Sequence, residues 1–547
     1  MVGTRLLVVA GLLVASVGGA RGQTFLGRDA NAWQKQLKEG KAEKTRRSAA
    51  FALGKLGSSA SSAINDLKKT LREDKAGSVR EAAALALGDI GRAALKALED
   101  PDLVQALTQA LAKDTDPLVR RSAALSLGKF GPDAKAALAA LETAVDDPNV
   151  TVRQNAAWAL GRIGAASVKG LKKALKDSDI LVQRDAAGSL GRLDPEEARG
   201  ALDELVACCK IDNSALRIAA LSVLNKIVTS EDGKIAVLIK PALADADPEV
   251  KRNAALTLAN IGGPEAAPAL PILLEALRDG DAELKPQAAA AIGNLGDAAA
   301  SAVSPLIKAL ADPEKEVRRY AALALGGIGE KAEPAIGPLV KLLANTSEYA
   351  EARVEAATAL AKIGPRKEAE DAVPSLLRVL ENPKDHSLVR ERIVWALRVH
   401  KLNLGNFPGV YPTFGKVMVE AKTDKNTMLR YDCAYMLGVL QAADAPDKVL
   451  DVLLEFLKND QILIYKGKAV TVGSSGGVEA KGSATTAKDE GYGDGRVMAI
   501  QALGRMGAER VLRRKDVVMQ LQAINANPKT HAELKKNTKE LLDSLTN

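Results

Sequence analysis

Val152-Arg153-Gln154-Asn155-Ala156-Ala157-Trp158-Ala159-Leu160-Gly161-Arg162-Ile163-Gly164 is one copy of a phrase that the chain repeats about every 34 residues. In general form it reads [V/L]-R-x-x-A-A-x-x-L-G-x-[I/L/F]-G, and clear copies start at Val79, Val119 and Val317. Looser copies keep the cation or the Ala pair around Arg46, Gln183, Arg217, Lys251, Lys285, Arg353, Arg390, Arg430 and Arg496, which makes thirteen units in all. A fixed period of this size predicts stacked supersecondary units rather than a globular enzyme core.

Working outward from that copy, the unit Ala136 to Gly164 divides into two helical stretches. The first, Ala136 to Val145, spaces Leu138, Leu141 and Val145 at helical intervals. Asp147-Pro148 halts it, because Asp can cap the following helix and Pro suits a first turn where its missing N–H costs nothing. The second stretch, Val150 to Ile163, is expected to bury Val152, Ala156, Ala157, Leu160 and Ile163, with Gly164 as a left-handed terminating residue. Asp116-Pro117, Asp247-Pro248 and Asp312-Pro313 repeat the punctuation. Aromatics make up only 3% of the residues, and the small side chains that replace them suit close helix-to-helix contact.

These residues resemble the HEAT-repeat family, and specifically its phycobilisome-lyase-type subgroup with the short V-R-x-x-A-A-x-x-L-G-x-I-G second helix. The resemblance covers about residues 41–460 and resumes at 496–507. It implies an all-α, right-handed α-solenoid of about 13 helix pairs, a fold that serves many unrelated tasks. An acid stands six residues before most of the unit cations, at Asp74, Asp114, Asp147, Asp177, Asp245, Asp279, Asp312 and Asp424, with Glu490 before Arg496. In HEAT-like arrays such residues form a ladder of hydrogen bonds between neighbouring turns. The resemblance carries that role to Asp114/Arg120, Asp147/Arg153 and Asp312/Arg318. A catalytic centre is not built nine times, so these carboxylates read as structural.

The first residues read as a secretory signal, 1–22, with Arg5 ahead of an apolar run from Leu6 to Val17 and small residues from Gly18 to Gly22. That run is shorter than the roughly 20 residues of a membrane span, and no later stretch is apolar for long enough. The chain is therefore expected to be exported, to the periplasm or the extracellular space. Removing residues 1–22 takes Arg5 and Arg21 and no acid, so the net charge of +8 becomes +6, which permits an anionic partner without demanding one. Cys208, Cys209 and Cys433 make a poor disulfide framework and read as small buried residues.

The remaining organisation is an N-terminal cap at 23–40, with Trp33 and Leu37 shielding the first unit, and the array at 41–460. A Gly/Ser-rich insertion follows at 461–495, read as a mobile loop preceded by a small hairpin that pairs Ile462–Tyr465 with Ala469–Val472. Residues 496–547 supply the last repeat and a polar, basic end cap. Gly473-Ser474-Ser475-Gly476-Gly477 lacks the Gly-Lys-Ser/Thr of a phosphate loop.

Two surfaces are candidates for binding. Lys129, Arg162, Arg192 and Lys226 follow the Leu-Gly step in consecutive units, so stacking would set them in a row about 10 Å apart along the concave face. Such a row suits an acidic protein segment, a polyanionic glycan or a nucleic-acid backbone. The same cations also sit where they complement the negative helix end, worth about 0.3–1 kcal/mol each. Between Trp395 and Tyr465 the chain gathers half of its sixteen aromatics. Trp395, Tyr411, Phe414, Tyr431 and Tyr435 read either as a partner interface or as a core repacked around the loop from Lys401 to Thr413.

The three histidines, His386, His400 and His531, are scattered and join no His-Glu dyad of the kind that holds di-iron in the HEAT-built deoxyhypusine hydroxylase. No HExxH, paired CxxC, CxxCH or GxSxG occurs. No cofactor, metal or catalytic residue is therefore expected. The expected function is a non-catalytic scaffold for unidentified protein partners, presented on an extended concave surface. Two alternatives stay open: an enzyme or enzyme subunit related to phycobilin lyases, sited at the aromatic segment, and a nucleic-acid-binding array. Export and the few aromatics in residues 41–390 disfavour nucleic acid.

Overall fold

The computed structural model describes residues 24–98, 101–364, 367–399, 404, 407, 409–421, 427–440, 446–459, 463–465, 492–494 and 496–546. The signal-peptide reading at 1–22 and most of the insertion, 466–491, lie outside them. No helix among the described residues is long and apolar enough to cross a membrane. The described residues are all-α apart from one short strand pair and an isolated bridge between Phe25 and Arg28, and the chain divides into two compact units, 1–227 and 228–547.

In the first unit the second helices are Glu43–Leu56, the portion of Gly77–Leu98 before Gly91, Pro117–Phe130, Val150–Ile163, Ile180–Leu190 and Ser214–Ile227. Each packs on the next. The first helices, such as Ile64–Glu73, Pro101–Lys113 and Leu138–Ala144, lie against them, and Ile64–Glu73 and Leu138–Ala144 are reached through short 3-10 turns. The core therefore runs along the stack, and in Val150–Ile163 all five of the residues expected to be inside are buried. Trp33 and Leu37 of the opening helix Ala30–Glu39 close one end, where the Trp33 indole donates to the Phe25 carbonyl at 3.1 Å.

The second unit repeats the arrangement through Pro248–Ile261, Leu284–Asn294, Lys315–Ile328, Ala350–Ile363, Ser387–Val399, Thr427–Leu440 and Arg496–Met506, again each on the next. Thr427–Leu440 packs on Arg496–Met506 although the whole insertion separates them in sequence. The insertion leaves the stack through strand β1, Leu463–Tyr465, and returns through β2, Tyr492–Asp494. These pair antiparallel, with Tyr465 opposite Tyr492. The second strand of the expected hairpin, Ala469–Val472, lies outside the described residues; β1 pairs with Tyr492–Asp494, at the far end of the insertion. The polar end cap is itself a helix pair, Lys515–Ala526 and Ala532–Thr546, which buries Val517, Leu521, Ile524, Leu534, Leu541 and Leu545.

Two details of punctuation differ from expectation. Asp116 and Asp247 do cap their helices, each accepting the amide two residues on, with Pro at the first helical position. In the next unit, however, Asn149 is the cap, and Asp147 instead accepts the Asn149 amide at 2.9 Å. Gly164 has φ 110° and ψ −161°, and Gly262 has φ 73° and ψ −163°. Both lie outside the left-handed helical basin, in a region essentially reserved for Gly.

Candidate functional site

The polar residues of the repeat assemble at the turns between helices. In the steps led by Arg46, Arg80, Arg120 and Arg153 one guanidinium joins three segments of the chain. Arg80 donates Nε and Nη2 to the two carboxylate oxygens of Asp114 in the following unit, both at 2.7 Å, and Nη1 to the backbone carbonyl of Asp74 in its own unit at 2.9 Å. Arg46 grips Asp74, Arg120 grips Asp147 and Arg153 grips Asp177 in the same two-pronged way. Each of these aspartates also accepts the backbone amide two residues on, as Asp114 does from Asp116 at 2.9 Å. The planar fork of Arg matches a carboxylate bidentately, which a lone ammonium cannot do.

The pairs named from sequence are therefore joined through the backbone. Arg120 and Arg153 bond the carbonyls of Asp114 and Asp147, each at 3.0 Å, while their carboxylate partners lie one unit further on. Arg318 bonds the Asp312 carbonyl at 2.8 Å but takes Glu348 as its carboxylate, at 2.7 and 2.9 Å. Asp312 receives Lys285 at 3.3 Å. Sequence spacing found the residues of the ladder but not which acid each arginine grips, because a six-residue offset measures distance along one turn, not across the stack. Arg353 and Asp385, both almost fully buried, continue the ladder at 2.6 and 2.7 Å.

Burial alone would raise the Asp74, Asp114 and Asp147 carboxyls, yet the guanidinium bonds, the amide bond and nearby arginine charge outweigh it and hold all three below the ordinary carboxylate value. The opposite sign applies at Arg80, Arg120 and Arg153, which their carboxylate bonds push up despite burial. A depression of about 380 Å³ lies over the Asp74–Arg80–Asp114 step, and both its carboxylates and the Arg80 guanidinium already serve the ladder.

The basic row lies on the second helices but is only partly free. Lys129 pairs with Asp89 at 2.5 Å. Arg162 donates Nε to the Gly128 carbonyl at 2.9 Å and lies over the Trp158 ring. Lys226 reaches the Gly191 carbonyl at 3.4 Å. These carbonyls belong to the last turn of the preceding second helix, so Arg162 and Lys226 meet a negative helix end, that of their neighbour. Arg192 is exposed, and its charge is felt by Asp185.

The aromatic candidates divide. Phe414 and Tyr431 are core residues, 0% and 2% exposed, and Tyr431 stacks on Phe456 with centroids 4.4 Å apart. Trp395, Tyr411 and Tyr435 are half-buried, with Arg392 over Trp395 and Arg398 over Tyr435 at 5.8 Å each. Arg398 also meets Asp432 at 3.3 Å, though burial pushes that carboxyl up to about 6. All three cysteines are buried and free, and burial pushes the Cys208 and Cys209 thiols up to about 11 and about 12. Among the described residues no group of three or more His, Cys, Asp and Glu is placed to hold a metal ion.

Sequence reasoning missed a further cluster, because its members do not recur at one position of the repeat: Glu355 and Arg392 share a position, while Arg319 and Lys362 stand at two others. Glu355 lies between Arg319, Lys362 and Arg392, on three consecutive second helices.

A HEAT-repeat family model matches residues 30–102, 91–161, 139–225, 235–303 and 303–398, well over half of the chain. No curated protein matches in sequence. Among solved structures, the one in which Kap95p binding induces the switch loops of RanGDP to adopt the GTP-bound conformation is similar over 94% of this chain and 71% of that one, at 16% identity and a TM-score of 0.51. Yeast importin-β (Kap95p) by itself gives 12% identity and a TM-score of 0.45 over 94% and 78% of the two chains. An engineered protein gives 27% identity and a TM-score of 0.46 over 68% and 99%. The Kap95p likeness shows the fold. The family model shows more, because it falls on the very units whose helices stack and interlock here: the chain belongs to the HEAT-repeat family.

Proposed function

We propose that the chain is a non-catalytic scaffold that presents its second helices to another protein, and that it acts after export. The observation that carries this reading is the division of labour among the polar residues. The repeated arginines and carboxylates are consumed in holding units together, whereas side chains that do not repeat stay partly open: Arg192 just beyond the second helix Ile180–Leu190 in the first compact unit, and Trp395 and Tyr435 on two adjoining second helices in the other. Side chains of this kind concentrate interface energy. Kap95p, whose fold the chain shares, acts on RanGDP through binding. What extends to this chain is only that such a stack can engage a protein.

Export rests on Arg5, the apolar run to Val17 and the small residues to Gly22. The phycobilisome-lyase-type phrase is part of the same proposal, as a likeness of repeat that carries no bilin chemistry.

The test is capture of partners by the immobilised chain from the envelope of its own cell, followed by rebinding of the purified candidate to wild type and to Arg192→Glu. Rebinding weakened at least tenfold by the substitution, at an unchanged melting temperature, supports the reading. Failure of any purified candidate to rebind sinks it, as does substrate turnover abolished by one side-chain change. N-terminal sequencing that begins at Met1 sinks the export component.

A further inference from the structure

We propose that Arg319, Lys362 and Arg392 form a receptor site for a carboxylate of an acidic protein segment, laid in extended form across the second helices Lys315–Ile328, Ala350–Ile363 and Ser387–Val399. This deepens the scaffold reading and rests on it.

The cluster differs in kind from the ladder. There, every guanidinium meets a carboxylate two-pronged at 2.6–3.0 Å. Here Arg319 meets two carboxylates only loosely, Glu316 at 3.7 Å and Glu355 at 3.9 Å, and the charges of Lys362 and Arg392 also act on Glu355. The Arg319 Nε and Arg392 Nε atoms are buried and donate no hydrogen bond among the described residues. A buried donor without an acceptor costs on the order of 1–3 kcal/mol, so the site is built for an acceptor that the described residues do not supply.

The positions of the two guanidiniums are set by aromatic rings. Arg319 lies over Tyr320 at 5.3 Å and Arg392 over Trp395 at 5.8 Å. Ring contact holds a guanidinium flat and leaves its N–H edge free to bind. Both rings are half-buried, so an approaching chain meets an apolar wall beside each cation. Further along Ser387–Val399 the contrast is plain: there Arg398 is matched by Asp432 of the next second helix, leaving no excess.

Counted with Glu316 and Glu355, the three cations carry a net charge of +1 in a partly desolvated place. Burial raises the Glu355 carboxyl even against Arg319, Lys362 and Arg392, so the resident acid is a weak counter-ion for its neighbours. An incoming carboxylate completes the set. The occupant is a protein segment rather than a continuous polyanion because Glu316, Glu351 and Glu391 lie on the same three helices and repel a chain charged at every step. Three helices spaced about 8–10 Å apart span about 20 Å, the length of about six extended residues.

The test uses the full chain and a fluorescein-labelled hexapeptide with one central glutamate flanked by serine and glycine, read by anisotropy at low salt. Glu355→Gln removes the competing charge and should tighten binding at least fivefold, a gain that misfolding cannot mimic. Arg319→Gln and Arg392→Gln should each weaken it at least tenfold, while Arg192→Glu leaves it within twofold. Equal affinity of wild type and Glu355→Gln overturns the site, and so does loss with Arg192→Glu as large as with Arg392→Gln. Tighter, Glu355-dependent binding of a heparin hexasaccharide or a DNA decamer overturns the assignment to a protein segment. Failure here leaves the rebinding test above standing. Failure of that test alone, with Glu355→Gln still tightening the peptide, removes the scaffold reading and keeps the anion site.

Discussion

At the scale of single residues, the repeat depends on conformations and charges that few substitutions preserve. Gly164 closes its helix at φ 110° and ψ −161°, where a Cβ is strained whatever space surrounds it. Gly164→Ala should lower stability by about 1–3 kcal/mol in urea unfolding, and Gly164→Asn should not rescue it. Rescue by Asn, which tolerates the left-handed helical basin, would show that the terminus has relaxed to an ordinary cap. The ladder makes a signed prediction about pH. Asp74, Asp114 and Asp147 titrate lower in the folded chain than the unfolded value of about 3.9, so the unfolded state binds more protons as pH falls. Their contribution is complete above about pH 4 and is lost below it. Thermal melts from pH 7 to pH 2.5 should show an acid limb that flattens in Asp114→Asn; an unchanged limb would assign acid unfolding elsewhere. At neutral pH, Arg120→Met strands Asp147 beside the Arg153 charge alone and should cost about 3 kcal/mol, since removing one partner of a buried pair leaves the other uncompensated.

At the scale of elements, the spacing between second helices is set by one glycine and the small residue facing it. A Cβ on Gly161 would come within 2.8 Å of the Ser189 Cα, and one on Gly326 within 2.8 Å of the Ala359 Cα. Ser126 uses the same closeness to donate to the Ala84 carbonyl of the preceding unit at 2.8 Å. Gly326→Val should therefore push two backbones apart and cost about 3 kcal/mol or more, whereas Ala359→Gly should cost only about 1 kcal/mol by helix propensity. Comparable losses for the two, measured by chemical denaturation, would mean that the glycine is not what holds the helices close.

At the scale of the whole molecule, the stack rather than the order of the chain decides what is contiguous. Thr427–Leu440 rests on Arg496–Met506 across the insertion, and Tyr465 faces Tyr492. Replacing residues 467–490 by a four-residue turn should leave the helical circular dichroism intact and shift the melting temperature by only a few degrees, because loop closure depends weakly on length. A collapse of the second unit on deletion would show that the excised residues contribute to its core.

The period, the identity of inside and outside faces, the helix ends and the family follow from the amino-acid sequence alone, because each is a local relation between residues within one unit of about 34. The phrase at Val152–Gly164 was legible for that reason, down to its buried positions. Relations between units were not. Which carboxylate each arginine grips, that Phe414 and Tyr431 are core, that Arg162 and Lys226 bond a neighbouring helix, and that β1 finds its partner at the far end of the insertion are tertiary facts. The Glu355 cluster belongs with them. Its members do not recur at one position of the repeat, and only side-by-side stacking of helices brings residues 319, 355, 362 and 392 into one electric field.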